Sequence, residues 1–228
     1  RSRNYYSPDI HVPSITVDWS ISPFTKLQLT ASAVLGVRNS VMFDKPANVP
    51  DSINPVTNQY NPRQVDVDHY NSYTAGLRLL QEYRTGSIRH TLAAGVQYMN
   101  NRLHRNQQGK GTTGSDYDLS RTDPAWGRDI TFRTQNLAQF AENKINLLKN
   151  FSVSLGSRVE IGRTNMDGII VNYPENDIPV LIKHHFPLFG ANLSYKPTGN
   201  MEIYAGWSQA YRPVLFKDIV PASVYEKD

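Results

Sequence analysis

The sequence predicts an all-β chain: an antiparallel transmembrane β-barrel wall of about eight strands, with short turns at one end and long loops at the other. Three observations carry that prediction. Apolar and polar residues alternate with period two along segment after segment, which is the signature of strands with two unlike faces. Connections alternate between tight turns and long polar stretches, as outer-membrane barrels alternate periplasmic turns and extracellular loops. Helical periodicity is absent, and no run approaches the roughly 18 apolar residues that a membrane helix requires, the best stretch being Leu27 to Val37.

The elements follow in order. Ile15, Val17, Trp19 and Ile21 alternate with Ser14, Thr16, Asp18 and Ser20, predicting a first strand. After Ser22-Pro23-Phe24-Thr25 the pattern returns at Leu27, Leu29, Ala31, Ala33, Leu35 and Val37, opposed by Gln28, Thr30, Ser32 and Arg38, so the two form a hairpin. From Asn39 to about Asn71, Pro46, Pro50, Pro55 and Pro62 predict a long loop. Tyr73, Ala75, Leu77 and Leu79 make the third strand, Thr85-Gly86 turns it, and Ile88, Leu92, Ala94, Val96 and Tyr98 run back. A second long polar stretch spans Asn101 to Arg128. The fifth strand, around Thr131 to Lys144, is unclean: Phe132, Ala138 and Phe140 share their parity with Asn136 and Glu142, so alternation assigns it no firm face. Beyond a turn at Leu147 to Asn150, Phe151, Val153, Leu155, Val159 and Ile161 oppose Ser152, Ser154, Arg158 and Glu160. A loop with Pro174 and Pro179 leads to Phe189, Ala191, Leu193 and Tyr195, then Pro197 to Asn200 turns into Met201, Ile203, Ala205 and Trp207.

A lipid-facing apolar parity and a wet inner parity suit these strands. Arg78, Arg158 and Glu160 would meet water inside a barrel and a large desolvation cost inside a soluble sandwich. Trp19, Tyr73, Tyr98, Phe151, Tyr195 and Trp207 lie on the apolar parity, several near strand ends, where interfacial aromatics belong. Net charge is +4, from 24 Lys and Arg against 20 Asp and Glu, too mild and too interleaved to indicate nucleic acid. The absence of cysteine removes disulfide scaffolds, thiolate metal sites and cysteine nucleophiles.

The sheet is expected to be part of something larger. The inner parity carries Gly76, Gly95, Gly156, Gly190 and Gly206, which would underfill a narrow eight-stranded barrel. The last residues, Val224 to Asp228, form a charged loop sequence where a closing strand would end in apolar or aromatic residues. Arg1 to Asp9 holds no basic-plus-apolar leader, so the chain is expected to be mature, cytosolic or incomplete. The alternatives are a self-contained small outer-membrane barrel serving as adhesin or anchor, and a soluble eight-stranded barrel that buries the apolar parity.

Several segments resemble the barrels of TonB-dependent outer-membrane receptors. They are Trp207-Ser208-Gln209-Ala210-Tyr211-Arg212-Pro213 followed by Phe216 to Pro221, then Thr134 to Asn143 with Phe151 to Glu160, and Ala94 to Tyr98. The loop Gly109 to Asp116 and the segment Pro187 to Gly190 are most similar to ferric dicitrate-type receptors. That resemblance implies a barrel of about 22 strands filled by a separate plug domain, with residues 1–228 forming a partial barrel domain. It further implies a bacterial outer-membrane receptor, not an enzyme, that imports an anionic ferric chelate such as ferric citrate or another siderophore complex. Its partners would be the TonB complex, reached through the missing plug, and the lipopolysaccharide-bearing outer membrane, with no nucleic acid and no cofactor.

The remaining motifs have plainer roles. Gly109-Lys110-Gly111-Thr112-Thr113-Gly114 lacks the spacing and the strand-to-helix context of a phosphate loop. His184 and His185, adjacent on a strand, point to opposite faces, and His69 near Asp66 and Asp68 is a weak metal set. Asp116, Asp118 and Asp123 do not have the spacing of an EF-hand, and no metal site is expected. No catalytic set stands out. The loops do offer an anion site, because guanidinium forks bind carboxylates in bidentate fashion. Arg63, Gln64, Arg105, Lys110 and Arg121 are the candidate ligand-binding residues, drawn from a set that includes Arg102 and Arg128. Arg63 and Arg121 lead because each lies where a loop returns to its next strand, and their alanine variants are expected to weaken chelate binding.

Overall fold

Two-residue turns at one end of the sheet fix the architecture. In this computed structural model, which describes residues 2–46, 48–171, 180–211 and 220, the strands are β1 (Tyr5–His11), β2 (Ser14–Ser22), β3 (Thr25–Met42), β4 (Ile53–Asn54), β5 (Gln59–Tyr60), β6 (Gln64–Thr85), β7 (Ile88–Lys110), β8 (Arg128–Leu148), β9 (Phe151–Ile170), β10 (Val180–Thr198) and β11 (Met201–Ser208). Pro23-Phe24, Gly86-Ser87, Lys149-Asn150 and Gly199-Asn200 close the four tight hairpins. Gly86 has φ +62°, the left-handed conformation that a tight hairpin turn asks of its first central residue.

All long strands pair antiparallel with their chain neighbours, in the order β1-β3-β6-β7-β8-β9-β10-β11, with β2 also on β3. β1 and β2 continue one register along β3, from Tyr5↔Val41 to His11↔Leu35 and then Ser14↔Ser32 to Ser20↔Lys26. They form a single edge strand broken at Val12-Pro13, where proline has no amide hydrogen to give and Ala33 donates to its carbonyl at 3.0 Å. Among the described residues β1 and β2 do not pair with β11, so the barrel does not close. A small separate hairpin, β4 with β5, decorates the first long loop. Its turn is shaped by Asn54, whose Oδ1 accepts from the Val56 amide at 2.8 Å.

The eight expected strands are all present, but longer than alternation suggested. β3 runs on to Met42, β6 begins at Gln64, β7 reaches Lys110 and β8 starts at Arg128, so the expected loops at 39–71 and 101–128 shrink to residues 43–63 and 111–127. β10 likewise begins at Val180, well before Phe189. The loop holding Pro174 and Pro179, Arg212 and the segment Phe216 to Ile219 lie outside the described residues.

Cross-strand register sets the faces. Leu29 opposes Leu77, Tyr98 opposes Leu137, and Leu137 opposes Ile161 on one face. Gly95 opposes Phe140, and Phe140 opposes Arg158, on the other. Burial separates the two faces except at the loop base, where Val41 and Val65 of the first face are also covered: Asp68, Leu103, Ile130, Phe132, Thr134, Ala138, Thr164 and Met166 are buried on the second, while Tyr73, Leu77, Tyr98, Leu155, Ile161, Phe189 and Trp207 stand exposed on the first. Crowding on one face is what the inside of a curved wall produces, so the second face is the lumen. The unclean fifth strand is thereby resolved: Phe132, Ala138 and Phe140 face inward beside Asn136 and Glu142. Phe140 lies over Gly95, where an added Cβ would come within 2.7 Å of its ring.

From Phe151 to Ile161 the outward apolar band of β9 covers ten residue steps. At about 3.3 Å per step and a tilt of about 40°, that is about 25 Å, the height of a barrel's lipid-facing band. Above it, on the loop side, the inner face holds the core: Leu103, Ile130, Phe132, Met166 and Ile170, with Tyr70, Val180 and Val220 packed against them. Each fully buried side chain of this kind contributes about 1.5–3 kcal/mol.

Candidate functional site

The charged groups at the loop end fall into three clusters, built by different elements. The innermost is on the lumen face, where register brings Arg38 of β3 opposite Asp68 of β6, and Asp68 opposite Arg105 of β7. Asp68 is fully buried. An Arg38 guanidinium nitrogen closes on Asp68 Oδ2, and Arg105 Nε lies 3.3 Å from Oδ1, in ion-pair reach but not aligned to hydrogen-bond. Two guanidinium groups thus share one carboxylate on the inner wall, with Asp66 two residues along the same face. Both arginines remain partly open, with 30% and 24% of their side chains exposed.

The second cluster is a clamp on the loops. Arg63 is 1% exposed and Arg3 is 3% exposed. Arg63 donates from Nη1 to the Arg3 carbonyl at 3.1 Å and from Nη2 to the Asp116 carbonyl at 2.8 Å. Arg3 in turn holds Asp51 through Nε at 2.9 Å and the Gly114 carbonyl at 2.9 Å, and stacks over the Tyr60 ring at 4.1 Å. These bonds tie the start of β1 to both long loops. Arg63 therefore turns its guanidinium into the loop base. Arg3 was missed because its partners are 48 to 111 positions away in sequence.

Third, Arg63, Gln64 and Lys110 border one cleft of about 440 Å³ with Phe43, Asp44 and Lys45. Lys110 is exposed there, while Gln64 Nε2 donates to both oxygens of Asp66 at 3.0 Å. Burial pushes the Asp66 carboxyl above its ordinary range, opposed by the Gln108 amide and Gln64 and assisted by the charge on Asp68. Arg121 stands apart: its guanidinium lies over Trp126 at 4.1 Å and donates to the Pro124 carbonyl at 2.5 Å, folded onto its own loop. The structure thus groups Arg63, Gln64 and Lys110, sets Arg105 on the inner wall, and leaves Arg121 alone.

The acidic loop residues shape turns. Asp118 accepts from the Ser120 amide at 2.8 Å, a bond that holds its carboxyl below the usual range, and Asp123 accepts from the Ala125 amide at 2.9 Å. His69 faces outward against His104 at 6.1 Å, away from Asp66 and Asp68, and His184 and His185 point to opposite faces. Among the described residues no three His, Asp or Glu side chains gather as a metal site.

An open antiparallel wall with an apolar outer band is the form of a large outer-membrane barrel, and the comparisons agree on that fold. The model of the TonB dependent receptor-like β-barrel matches residues 1–225, and the chain belongs to that family. Among solved structures it is similar to the ferric citrate transporter FecA in its unliganded form, at TM-score 0.76 and 17% identity, over 96% of this chain and 30% of that one. It is also similar to the ferric-catecholate import receptor Fiu of E. coli K12, at TM-score 0.66 and 14% identity over 92% of this chain and 36% of that one. A third is the siderophore receptor PiuA of Acinetobacter baumannii, at TM-score 0.66 and 16% identity over 91% and 33%. At these identities the likeness is one of fold, and the chain spans about a third of those proteins' length. No curated protein sequence matches it.

Proposed function

We propose that residues 1–228 are a partial barrel domain of a bacterial outer-membrane receptor that imports an anionic ferric chelate, ferric citrate or a related siderophore complex, with TonB-coupled energy. The observation that carries this reading is the Arg38, Asp68 and Arg105 cluster on the lumen face. One buried carboxylate holds two guanidinium groups in place, both partly open to the lumen, and guanidinium forks suit a carboxylate-rich or catecholate chelate of ferric iron. Arg105 contacts the chelate on this view, with Lys110 and Gln64 at the rim of the cleft above it. Arg121 meets the ligand only by unfolding from Trp126, and Arg63 acts by holding the loops. Passage through the wall needs a plug and further strands, with which TonB would engage, and the protein moves its cargo without altering it.

The open edges favour this reading over a self-contained small barrel, since unpaired strand edges do not persist in lipid. Its test is calorimetric titration of the full-length receptor with ferric citrate and with a ferric catecholate. Arg105→Ala is expected to weaken the bound chelate about tenfold, the scale of one lost charge-assisted contact. Unchanged titrations of both chelates in Arg38→Ala and Arg105→Ala would end the assignment of this cluster as the ligand site.

A further inference from the structure

The rim of the wall carries a second layer on its outside. Register sets Tyr5, Val41, Val65 and Gly109 side by side on the outward face, one each from β1, β3, β6 and β7, and Val41 and Val65 are fully buried there. The loop at residues 111–127 lies along this row. At one end Trp126 sits on Gly109, where an added Cβ would come within 2.5 Å of its ring, and a Cβ on Gly111 would come within 2.9 Å of the Val65 side chain. At the other end the Tyr5 hydroxyl donates to the Ser115 carbonyl at 2.8 Å, and the Tyr5 and Tyr117 rings meet edge to face at 5.9 Å. The loop is thus folded back over the outside of the wall, on the opposite face of the sheet from Arg38, Asp68 and Arg105.

Two buried arginines lock this layer to the other long loop. Arg3 draws acceptors from both loops: Asp51 at 2.9 Å and the Asn61 carbonyl at 3.3 Å on one side, the Thr113 carbonyl at 3.2 Å and the Gly114 carbonyl at 2.9 Å on the other. Arg63 sits between them, with one acceptor on Arg3 itself and one on Asp116. Among the described residues no carboxylate lies in ion-pair reach of Arg63, and its buried Nε has no partner. A buried cation in that state tolerates no further loss, because each donor left unmade in the interior costs its full desolvation. Lifting residues 111–127 strips both arginines of acceptors, and lifting residues 48–63 strips Arg3 of its carboxylate. Neither loop can leave while the other stays as it is.

We propose that residues 3–5, 48–63 and 111–127 form one cooperative collar on the rim, released as a unit or not at all. The segment entering β1 is its strap, held between the two loops by Arg3 and Tyr5. The loops are therefore not independent arms: whatever loosens one at the outer surface loosens the other by the same factor. The inference goes beyond the import reading and does not rest on it, since the collar is built without any ligand.

The test is hydrogen exchange of the full-length receptor in detergent micelles, with no ligand added, read by mass spectrometry on peptides from the two loops. The reporters are the Asn58 amide, which donates to the Asn54 carbonyl at 2.8 Å, and the Thr122 amide, which donates to the Lys110 carbonyl at 2.8 Å. Asp51→Asn weakens the ion pair to Arg3 from the side of residues 48–63. It is expected to speed exchange at Asn58 and at Thr122 alike, on the order of tenfold. Tyr5→Phe removes the bond to Ser115 from the side of residues 111–127, and should speed both reporters by a smaller shared factor, roughly threefold. Peptides around Leu29 and Leu77, paired low on the wall, should stay protected in both variants, which shows that the barrel is folded. Acceleration confined to Asn58 in Asp51→Asn and to Thr122 in Tyr5→Phe would overturn the collar, as would unchanged exchange at both reporters in both variants.

Discussion

Below the level of Tyr73 and Tyr98 the outside of the wall is mostly apolar; above it arginines turn outward on β8 and β9 while an apolar cluster is buried inside beside the Arg38, Asp68 and Arg105 group. The lower part of β9 turns Leu155 and Ile161 outward and Arg158 and Glu160 inward, where Arg158 donates to Glu160 at 2.6 Å. The upper part of β8 and β9 turns Arg133 and Arg163 outward and buries Ile130, Phe132 and Met166 within. The difference is one of surroundings. Lipid demands apolar side chains on the outside of the band, and water above the bilayer removes that demand. At the upper end the inner face is crowded, so it becomes the place where hydrophobic burial pays.

This inversion can be broken from either side. The largest effect is expected from Phe132→Ala, which opens the inner core of the upper half at a cost of about 3–5 kcal/mol. Hydrogen exchange should quicken in the upper parts of β7, β8 and β9 while the lower parts stay protected. Leu155→Arg comes next, at about 2–4 kcal/mol, because that side chain sits near the middle of the outward band. Val153→Arg, two residues above the Phe151 end, should cost less, and inward-facing Ser154→Arg less again. Equal costs for Leu155→Arg and Ser154→Arg in urea unfolding from vesicles would refute the face assignment.

Loss of the loop clamp should be smaller. Arg63→Ala removes two charge-assisted bonds to carbonyls and is expected to cost about 2 kcal/mol. Protease should then nick residues 43–63 and 111–127 sooner, while the lower band stays intact. Any fall in chelate binding in this variant should be recovered when excess ligand orders the loops. The smallest effect is a pH dependence at Asp66. Desolvation raises its carboxyl above the ordinary value near 3.8 in the folded chain. Its contribution to folding is therefore full below that value and is lost as pH rises through the raised one. The Gln108 amide donates to Asp66 and holds the ionised carboxylate more tightly than the neutral acid, which limits the loss, and Asp66→Asn should flatten the slope.

The lower half was legible because one rule holds along it: every outward residue of the band meets lipid, so alternation keeps its sign from Leu27 to Val37 and from Phe151 to Ile161. The upper half was not, because the rule reverses within single strands. Read in one direction, β8 mixes Phe132 and Phe140 with Asn136 and Glu142, and β7 beyond Asn100 looks like polar loop. The cationic cluster was half visible. Arg105 stood out as a loop cation and Arg38 as a polar-parity residue, but Asp68 joins them only once the β3 and β6 register is carried upward from Leu29 and Leu77. The clamp of Arg3 and Arg63 left no local trace, since its acceptors are backbone carbonyls in distant loops.

The neighbour-by-neighbour order of the sheet also bears on how the wall assembles. Each long strand finds its partner in the one made just before it, and four of the junctions are two-residue turns. Among the described residues no strand pairs with one distant in the sheet order, so loop closure costs entropy in small steps. Pairing can start at Pro23-Phe24, Gly86-Ser87, Lys149-Asn150 and Gly199-Asn200 and zip upward, adding one hairpin at a time to a growing edge. Registers such as Leu29↔Leu77 and Ile145↔Val153 are fixed early in that progress, and the contacts among Arg3, Arg63 and the two long loops are the last to form.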